Sequence, residues 1–172
     1  VSYVDRLVGQ LLSDLEKLQL RENTVVLFTS DHGDMQGDHG MWFKRTYYES
    51  SASVPLMASW PGTFAPGKVR EAASLIDVGA TLVDLAGGDT GAYERASDGR
   101  SLSGLLQGTA SGWKDEAIME YCGEGARAPM IMIRRGPMKY VCFLGNEPVL
   151  FDLEKDPQEQ TNLAGDPAYA QK

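Results

Sequence analysis

The first twenty residues alternate between apolar and polar positions at the spacing of a helix. Leucines and valines recur every three or four residues, and charged residues fill the positions between them. This period places one apolar stripe opposite one solvated face. It predicts an amphipathic helix over residues 2–19 that packs on a sheet through its stripe, which consists of Val4, Leu7, Val8, Leu11, Leu12, Leu15 and Leu18.

The pattern changes at Val25, where a short apolar run rich in β-branched residues begins. Residues 25–29 are almost wholly apolar, which is typical of a parallel strand that is covered on both faces. A helix that leads directly into a buried strand is half of an α/β repeat. A second apolar run covers residues 54–60 and is closed by Pro61 and Gly62.

A second helix is predicted over residues 76–86, where Asp77 can cap the start and Gly87-Gly88 can end the helix. Residues 88–113 are polar and rich in Gly and Ser, and we expect a boundary between lobes there. From Ala117 the apolar positions follow the pattern of short strands joined by turns. The predicted strands form a small antiparallel sheet and lie at 117–121, 130–134, 140–144 and 149–153.

The predicted fold class is therefore α/β, a mostly parallel sheet with flanking helices followed by a small antiparallel α+β subdomain. We divide the chain into the end of an α/β domain over 1–87, a linker over 88–113 and the antiparallel subdomain over 114–172.

Composition narrows the classes of partner. The net charge of −8 disfavours nucleic acid and anionic membrane surfaces, because phosphate groups are bound by clustered Lys and Arg. No apolar stretch approaches the ~20 residues of a membrane span. The two cysteines, Cys122 and Cys142, lack the spacing of a zinc or redox motif and fit core thiols in a reducing compartment, with a single disulfide between them as the alternative. We expect a cytoplasmic protein, with the periplasm as the alternative.

The candidate chemistry lies directly after the first predicted strand, in Asp31-His32-Gly33-Asp34. Ligands of open α/β sheets bind at the carboxyl ends of strands. Asp31 is a hard oxygen ligand suited to Ca²⁺ or Mg²⁺, and Lys44 supplies a positive charge for an anionic oxygen. We name residues 31–50 the site loop, because a loop of this length inside a domain is usually functional.

Two sets of motifs extend this pattern over nearly the whole chain. The site loop continues with Gly-Asp-His-Gly at 37–40, Trp-Phe-Lys at 42–44 and Tyr-Glu-Ser at 48–50, and Val-Pro-Leu follows at 54–56. Close to the end lie Leu-Phe-Asp-Leu-Glu-Lys-Asp-Pro at 150–157 and Thr-Asn-Leu at 161–163. This order resembles the sulfatase family of the alkaline-phosphatase superfamily, and the second set is similar to the end of sulfatase C-terminal subdomains.

The resemblance implies a sulfuric ester hydrolase that acts on a small sulfate ester. It implies a divalent metal, with Ca²⁺ favoured over Mg²⁺, for which Asp31 and His32 supply part of the site. It also implies that His32 and Lys44 act in catalysis and that Lys44 binds the sulfate. Imidazole is an unusual ligand for a hard cation, so His32 has an alternative role as a hydrogen-bond donor to the ester oxygen or leaving group.

Residues 119–125 and 128–136 resemble the choline-sulfatase branch of the family in particular. A quaternary ammonium has no hydrogen-bond donors and is held by carboxylates and aromatic faces. Glu120 or Glu124 is a candidate for that substrate-binding carboxylate. The alternative is that both are solvated loop residues.

The formylglycine of sulfatases is made from Cys or Ser within Cys/Ser-x-Pro/Ala-x-Arg, and no such motif occurs in these residues. We therefore expect this chain to be the C-terminal part of a sulfatase, with the formylglycine upstream. We expect the chain alone to be inactive and to associate with itself or with the missing N-terminal part. One alternative is a phosphonate or phosphate ester hydrolase of the same superfamily. The other is a non-catalytic chain that acts as a binding or oligomerisation module.

Overall fold

The computed structural model describes residues 1–123, 125 and 128–170. Its helices and strands, in chain order, are α1 (Ser2–Lys17), β1 (Val26–Thr29), α2 (Glu49–Ala52), β2 (Leu56–Ser59), α3 (Ile76–Leu85), α4 (Thr90–Glu94), α5 (Ser103–Leu106), β3 (Glu116–Tyr121), β4 (Met130–Arg135), β5 (Met138–Phe143) and β6 (Asn146–Asp152). The predicted mixed α/β class is confirmed. None of the helices in the described ranges is long and apolar enough to cross a membrane.

β1 and β2 form a two-stranded antiparallel sheet in which Val26 pairs with Ser59 and Thr29 pairs with Leu56. The prediction that β1 is a parallel strand covered on both faces is wrong for the described residues, since β1 is half-buried and its bonded neighbour is antiparallel. The apolar run reports the hydrophobicity of the strand and carries no information on its direction. The chain returns at the end where β1 stopped, so β2 runs back along it.

α1 carries the predicted apolar stripe, but no residue of α1 is buried among those that the structure describes. Leu12 and Leu15 are half-buried, whereas Leu7 and Leu11 are 44% and 54% exposed. The predicted helix is confirmed, and the prediction that its stripe packs on a sheet is wrong for these residues. Periodicity identifies which face is apolar but not what covers it.

β3, β4, β5 and β6 form an antiparallel sheet in chain order, as the alternating pattern predicts. Met130, Met132 and Val141 are the buried centre of its core. Tyr47 of the site loop packs against this core, so the site loop is attached to the C-terminal sheet.

α3 is bonded to the segment that follows it. The buried carboxylate of Asp77 accepts hydrogen bonds from the backbone N–H groups of Ser74 (2.8 Å) and Arg100 (2.9 Å). The Thr81 hydroxyl accepts one from the N–H of Leu102 at 2.9 Å. Residues 88–113 thus contain α4 and α5 and contact α3. The division of the chain at 87 and 113 stays a prediction.

Candidate active site

The turn after β1 is fixed by its own polar groups. The Ser30 hydroxyl donates to the carbonyl of His32 at 2.9 Å, and the His32 N–H donates to Asp31 Oδ1 at 3.0 Å. The N–H of Gly33 donates to the carbonyl of Ser51 at 2.8 Å, which closes the base of the site loop. A Cβ on Gly33 would lie 2.1 Å from the carbonyl oxygen of Ser50, so this approach requires glycine.

The His32 ring is held between a backbone carbonyl and an ammonium group. Its Nδ1 lies 2.7 Å from the carbonyl oxygen of Gly33, and its Nε2 lies 2.5 Å from Nζ of Lys44. Because a carbonyl oxygen only accepts, Nδ1 must carry the proton, and Nε2 accepts from the Lys44 ammonium. Two residues far apart in the loop therefore form one hydrogen-bonded pair in a defined tautomer.

The Asp31 carboxylate lies beside this pair, with Oδ2 3.5 Å from Nε2 of His32 and its side chain 83% exposed. Partial desolvation acts to raise the pKa of Asp31. The electrostatic interaction with the neighbouring His32 ring, the backbone N–H groups of Asp31 and His32, and the positive charge of Lys44 outweigh it and hold the pKa below its ordinary value. The site therefore presents an ionised, accessible carboxylate at neutral pH.

This carboxylate fits a hard divalent cation as one ligand among several. Among the described residues, no group of three or more His, Cys, Asp and Glu side chains converges into a metal site. Ca²⁺ takes six to eight oxygen ligands, so Asp31 can supply only a small part of the shell. Both ring nitrogens of His32 already have partners, and a cation at Nε2 would have to displace Lys44.

Lys44 lies between two residues with unusual backbone conformations. Phe43 has φ 70° and Arg45 has φ 85°, values that non-glycine residues rarely adopt. Such conformations persist only where the surrounding structure holds them, and they cluster at functional sites. Here the buried Met35 anchors the segment, since its N–H donates to the carbonyl of Phe43 at 2.6 Å.

The remaining polar residues of the site loop brace it. The Ser50 hydroxyl donates to Asp38 Oδ2 at 2.5 Å, and this bond holds the pKa of Asp38 below its ordinary value against a small desolvation effect. The ring of His39 stacks on Tyr48 at 3.7 Å. Both contacts fix the conformation of the site loop.

The two glutamates proposed for substrate binding lie in or beside the turn between β3 and β4. Glu120 is exposed near the end of β3, and Glu124 lies outside the described residues. Gly125 approaches the site loop so closely that a Cβ there would lie 2.9 Å from Cδ of Arg45. The β3–β4 turn is therefore a neighbour of the loop that carries Lys44.

Sequence reasoning does not find Glu49, Lys139 and Glu159, which form a buried ion network next to α2. Glu49 lies 90 positions from Lys139 and 110 positions from Glu159 in the sequence, and no local pattern joins them. Their only individual signal is charge, which predicts a solvated side chain.

Comparison with known proteins decides the family. Residues 1–88 match the model of the Sulfatase family. The chain belongs to the sulfatase family. Members of this family generally use a divalent metal and a formylglycine. The resemblance inferred from the site loop and the C-terminal motifs is thereby confirmed.

The relatives of this chain include enzymes of two kinds. It is similar to the choline-sulfatase of Rhizobium meliloti (strain 1021), with 45% identity over 168 residues, 97% of this chain and 32% of the relative. Its fold is similar to a 2-O GAG sulfatase, with TM-score 0.85 and 31% identity over 97% of this chain and 37% of that one. It is also similar to the phosphonate monoester hydrolase of Agrobacterium radiobacter, with TM-score 0.79 and 32% identity over 98% and 36%. The chain thus spans about a third of the length of these relatives.

Proposed function

We propose that these residues belong to a sulfuric ester hydrolase whose substrate is a choline-like sulfate ester. The observation that carries the proposal is the contact between Lys44 Nζ and His32 Nε2, formed beside an exposed carboxylate at the end of β1. The 45% identity to a choline-sulfatase supports the choice of substrate class.

The pair suits the charge that develops when a sulfate ester breaks. Negative charge grows on the bridging oxygen as the S–O bond breaks, and a preorganised ammonium stabilises it. When a sulfate oxygen takes the ammonium of Lys44, Nε2 of His32 is released. Once Nε2 has taken a proton from solvent, the imidazolium can donate that proton to the leaving oxygen and return to the neutral Nδ1–H form.

We assign Asp31 to a divalent cation and propose Ca²⁺ over Mg²⁺, because an open, flexible carboxylate fits the looser geometry of Ca²⁺. The bound cation would neutralise charge on the sulfate oxygens. We further propose that the formylglycine and the other metal ligands lie N-terminal to these residues in the intact enzyme. His32 would then serve the reaction through its hydrogen bonds, with metal ligation as its alternative role.

For the alcohol half of the substrate we propose the β3–β4 turn. Gly125 of this turn lies against Arg45 in the site loop, and Glu120 precedes the turn along the chain. Glu120 and Glu124 are the two candidates we keep for the substrate-binding carboxylate. A carboxylate there would attract a quaternary ammonium through charge alone.

We also propose a cytoplasmic enzyme that binds neither nucleic acid nor membrane, in keeping with its net charge of −8. The exposed stripe of α1 is the surface we assign to self-association or to the N-terminal part of the enzyme.

A phosphonate or phosphate ester hydrolase is the second candidate, favoured by the likeness to the Agrobacterium radiobacter enzyme. The test is a substrate panel with the full-length protein: choline sulfate, an aryl sulfate and a phosphonate monoester, each with Ca²⁺ and with Mg²⁺. We expect the highest kcat/KM for choline sulfate. A higher value for the phosphonate monoester would select the second candidate, and no turnover of any ester would select a binding module.

A further inference from the structure

A lysine with no exposed surface lies behind the site loop. Lys139 is on β5, and its Nζ lies 2.9 Å from Oε1 of Glu49 and 2.7 Å from Oε1 of Glu159. Arg134 adds a second positive charge, with Nη1 3.5 Å from Oε2 of Glu49. Buried charges persist when they are paired in this way, and removal of one partner leaves the others uncompensated.

This ion network holds the start of α2. Glu49 is the first residue of that helix, and its N–H donates to Oε2 of Glu159 at 2.7 Å. Glu159 thus binds Glu49 through the backbone with one oxygen and Lys139 with the other. It does so from a backbone with φ 53°, which fixes the carboxylate in a tight turn.

α2 is hydrogen-bonded to the turn after β1 that contains His32 and Gly33. The carbonyl of Ser51, two residues after Glu49, accepts from the N–H of Gly33, and the carbonyl of Gly33 accepts from Nδ1 of His32. The contacts therefore run without a break from Lys139 through Glu49 and α2 to the His32 ring. Each step is a hydrogen bond, an ion pair or one short helix.

An aromatic cluster reinforces the same attachment. Tyr47 packs against Phe143 and Phe151 with ring centroids 5.6 and 6.2 Å apart, and against Tyr48 at 4.4 Å. These contacts fix the loop residues that immediately precede Glu49. The site loop is thus held on the C-terminal sheet by packing and by one buried ion network.

We propose that Lys139 and Glu159 are positioning residues that hold the His32 ring in the Nδ1–H tautomer facing Lys44. Their importance for ester hydrolysis rests on the proposed function, whereas their effect on the ring does not. The network fixes Glu49 and, through α2, the carbonyl of Ser51. That carbonyl holds the N–H of Gly33, and the carbonyl oxygen of the same residue selects the nitrogen of His32 that is protonated.

The test is ¹H–¹⁵N correlation spectroscopy of the histidine rings in the whole chain at pH 8. The chain has two histidines, so a His39→Gln variant assigns His32. The variant that decides is Glu159→Gln. The Glu49 N–H faces one carboxylate oxygen and Lys139 faces the other, and an amide has an acceptor oxygen at only one of these two positions. Lys139 keeps Glu49 as a partner, which leaves no buried charge without a counterion.

We expect the wild type to show Nδ1 protonated and Nε2 unprotonated. Glu159→Gln should lose part of the Nδ1–H population, which brings the ¹⁵N shifts of the two ring nitrogens closer together. Lys139→Met in a Glu49→Gln, Glu159→Gln background removes the charges of these three residues together, leaves the part-exposed Arg134 to solvent, and should lose more. Lys155→Met is the matched control and should change neither signal. It removes the ion pair between the exposed Lys155 and the buried Asp152 in the same subdomain.

Unchanged tautomer signals in folded Glu159→Gln would overturn the proposal and reduce the network to a structural brace. Kinetics of the same variant in the full-length enzyme add a second readout, a loss of kcat with little change in KM. If the enzyme hydrolyses no ester, the proposed function fails while the spectra still decide the positioning role.

Discussion

Nζ of Lys44 lies 2.5 Å from Nε2 of His32, although twelve positions separate the two residues in the sequence. Strained backbone on both sides of Lys44 and a backbone carbonyl behind His32 hold this contact. The ammonium is therefore in place before any substrate arrives, which is the condition for effective stabilisation of developing charge.

Replacement of Lys44 by Ala in the full-length enzyme should lower kcat by ~10²–10³, because one preorganised donor is lost. The contact strengthens as charge develops, so kcat should fall more than KM rises. Lys44→Arg should restore little, since a planar guanidinium does not replace a compact ammonium. Steady-state kinetics decide, with circular dichroism as the folding check. Lys17→Ala is the control, because Lys17 is an exposed lysine of α1. A near-wild-type kcat/KM in Lys44→Ala would contradict the role of Lys44 in sulfate binding.

The purified 172-residue chain by itself should hydrolyse neither choline sulfate nor an aryl sulfate. It contains no Cys/Ser-x-Pro/Ala-x-Arg motif from which a formylglycine is made. A chromogenic aryl sulfate assay with excess Ca²⁺ measures this. Turnover above the uncatalysed background would mean that another group in these residues acts as nucleophile.

Gly33→Ala should destabilise the fold by about 1–3 kcal/mol, the usual cost of overpacking. The added Cβ would lie 2.1 Å from the Ser50 carbonyl oxygen and would force the site loop away from β1. Gly9→Ala is the matched control, because a Cβ there meets nothing within 4 Å and the change favours helix by ~1 kcal/mol. Urea unfolding curves compare the two, and equal midpoints for Gly33→Ala and wild type would show that the loop relaxes freely.

Asp84→Asn should make the free energy of unfolding fall less steeply as the pH decreases. Hydrogen bonds from the hydroxyls of Ser101 and Ser103 lower the pKa of Asp84 despite some desolvation. A carboxyl whose pKa is lower in the folded state adds stability above its unfolded pKa, about 3.9, and loses it as pH falls through the folded value. Free energies of unfolding measured from pH 6 to pH 2 test this, with Asp5→Asn on α1 as control. An identical slope in Asp84→Asn and wild type would contradict it.

Glu substitutions at Leu7 and Leu11 should reduce self-association of the chain. These leucines are 44% and 54% exposed on the stripe of α1, and exposed apolar patches favour contact with other copies. Light scattering over a concentration series measures the effect. Gln10→Glu is the control, because it adds a charge to α1 outside the apolar stripe. A wild type that stays monomeric at high concentration would contradict self-association through this stripe.

Local patterns predict the elements of the fold well. The period of α1 and the alternation in β3–β6 each lie within a single segment of the chain, so the local sequence is enough to predict them. The direction of β1 was not accessible, because strand direction depends on where the chain returns. Asp31, His32 and Lys44 were found through motif order, and the structure brings them together.

Lys139 shows where sequence reasoning stops. A lysine is almost never fully buried unless it is paired, and its partners Glu49 and Glu159 lie far away along the chain. No property of Lys139 by itself distinguishes it from the exposed Lys155. Only the three-dimensional return of β5 toward α2 reveals the difference.

The bond from Gly33 to Ser51 turns the site loop into a closed unit with a fixed base. Its tip carries Met41, Trp42 and Phe43, which are 37%, 67% and 74% exposed. Substitutions at the tip therefore change the rim of the site without disturbing the bonds at its base. Met41 and Trp42 are therefore the positions to vary in a combinatorial library, whereas Phe43 stays, because its backbone with φ 70° and its carbonyl help to hold the segment that carries Lys44.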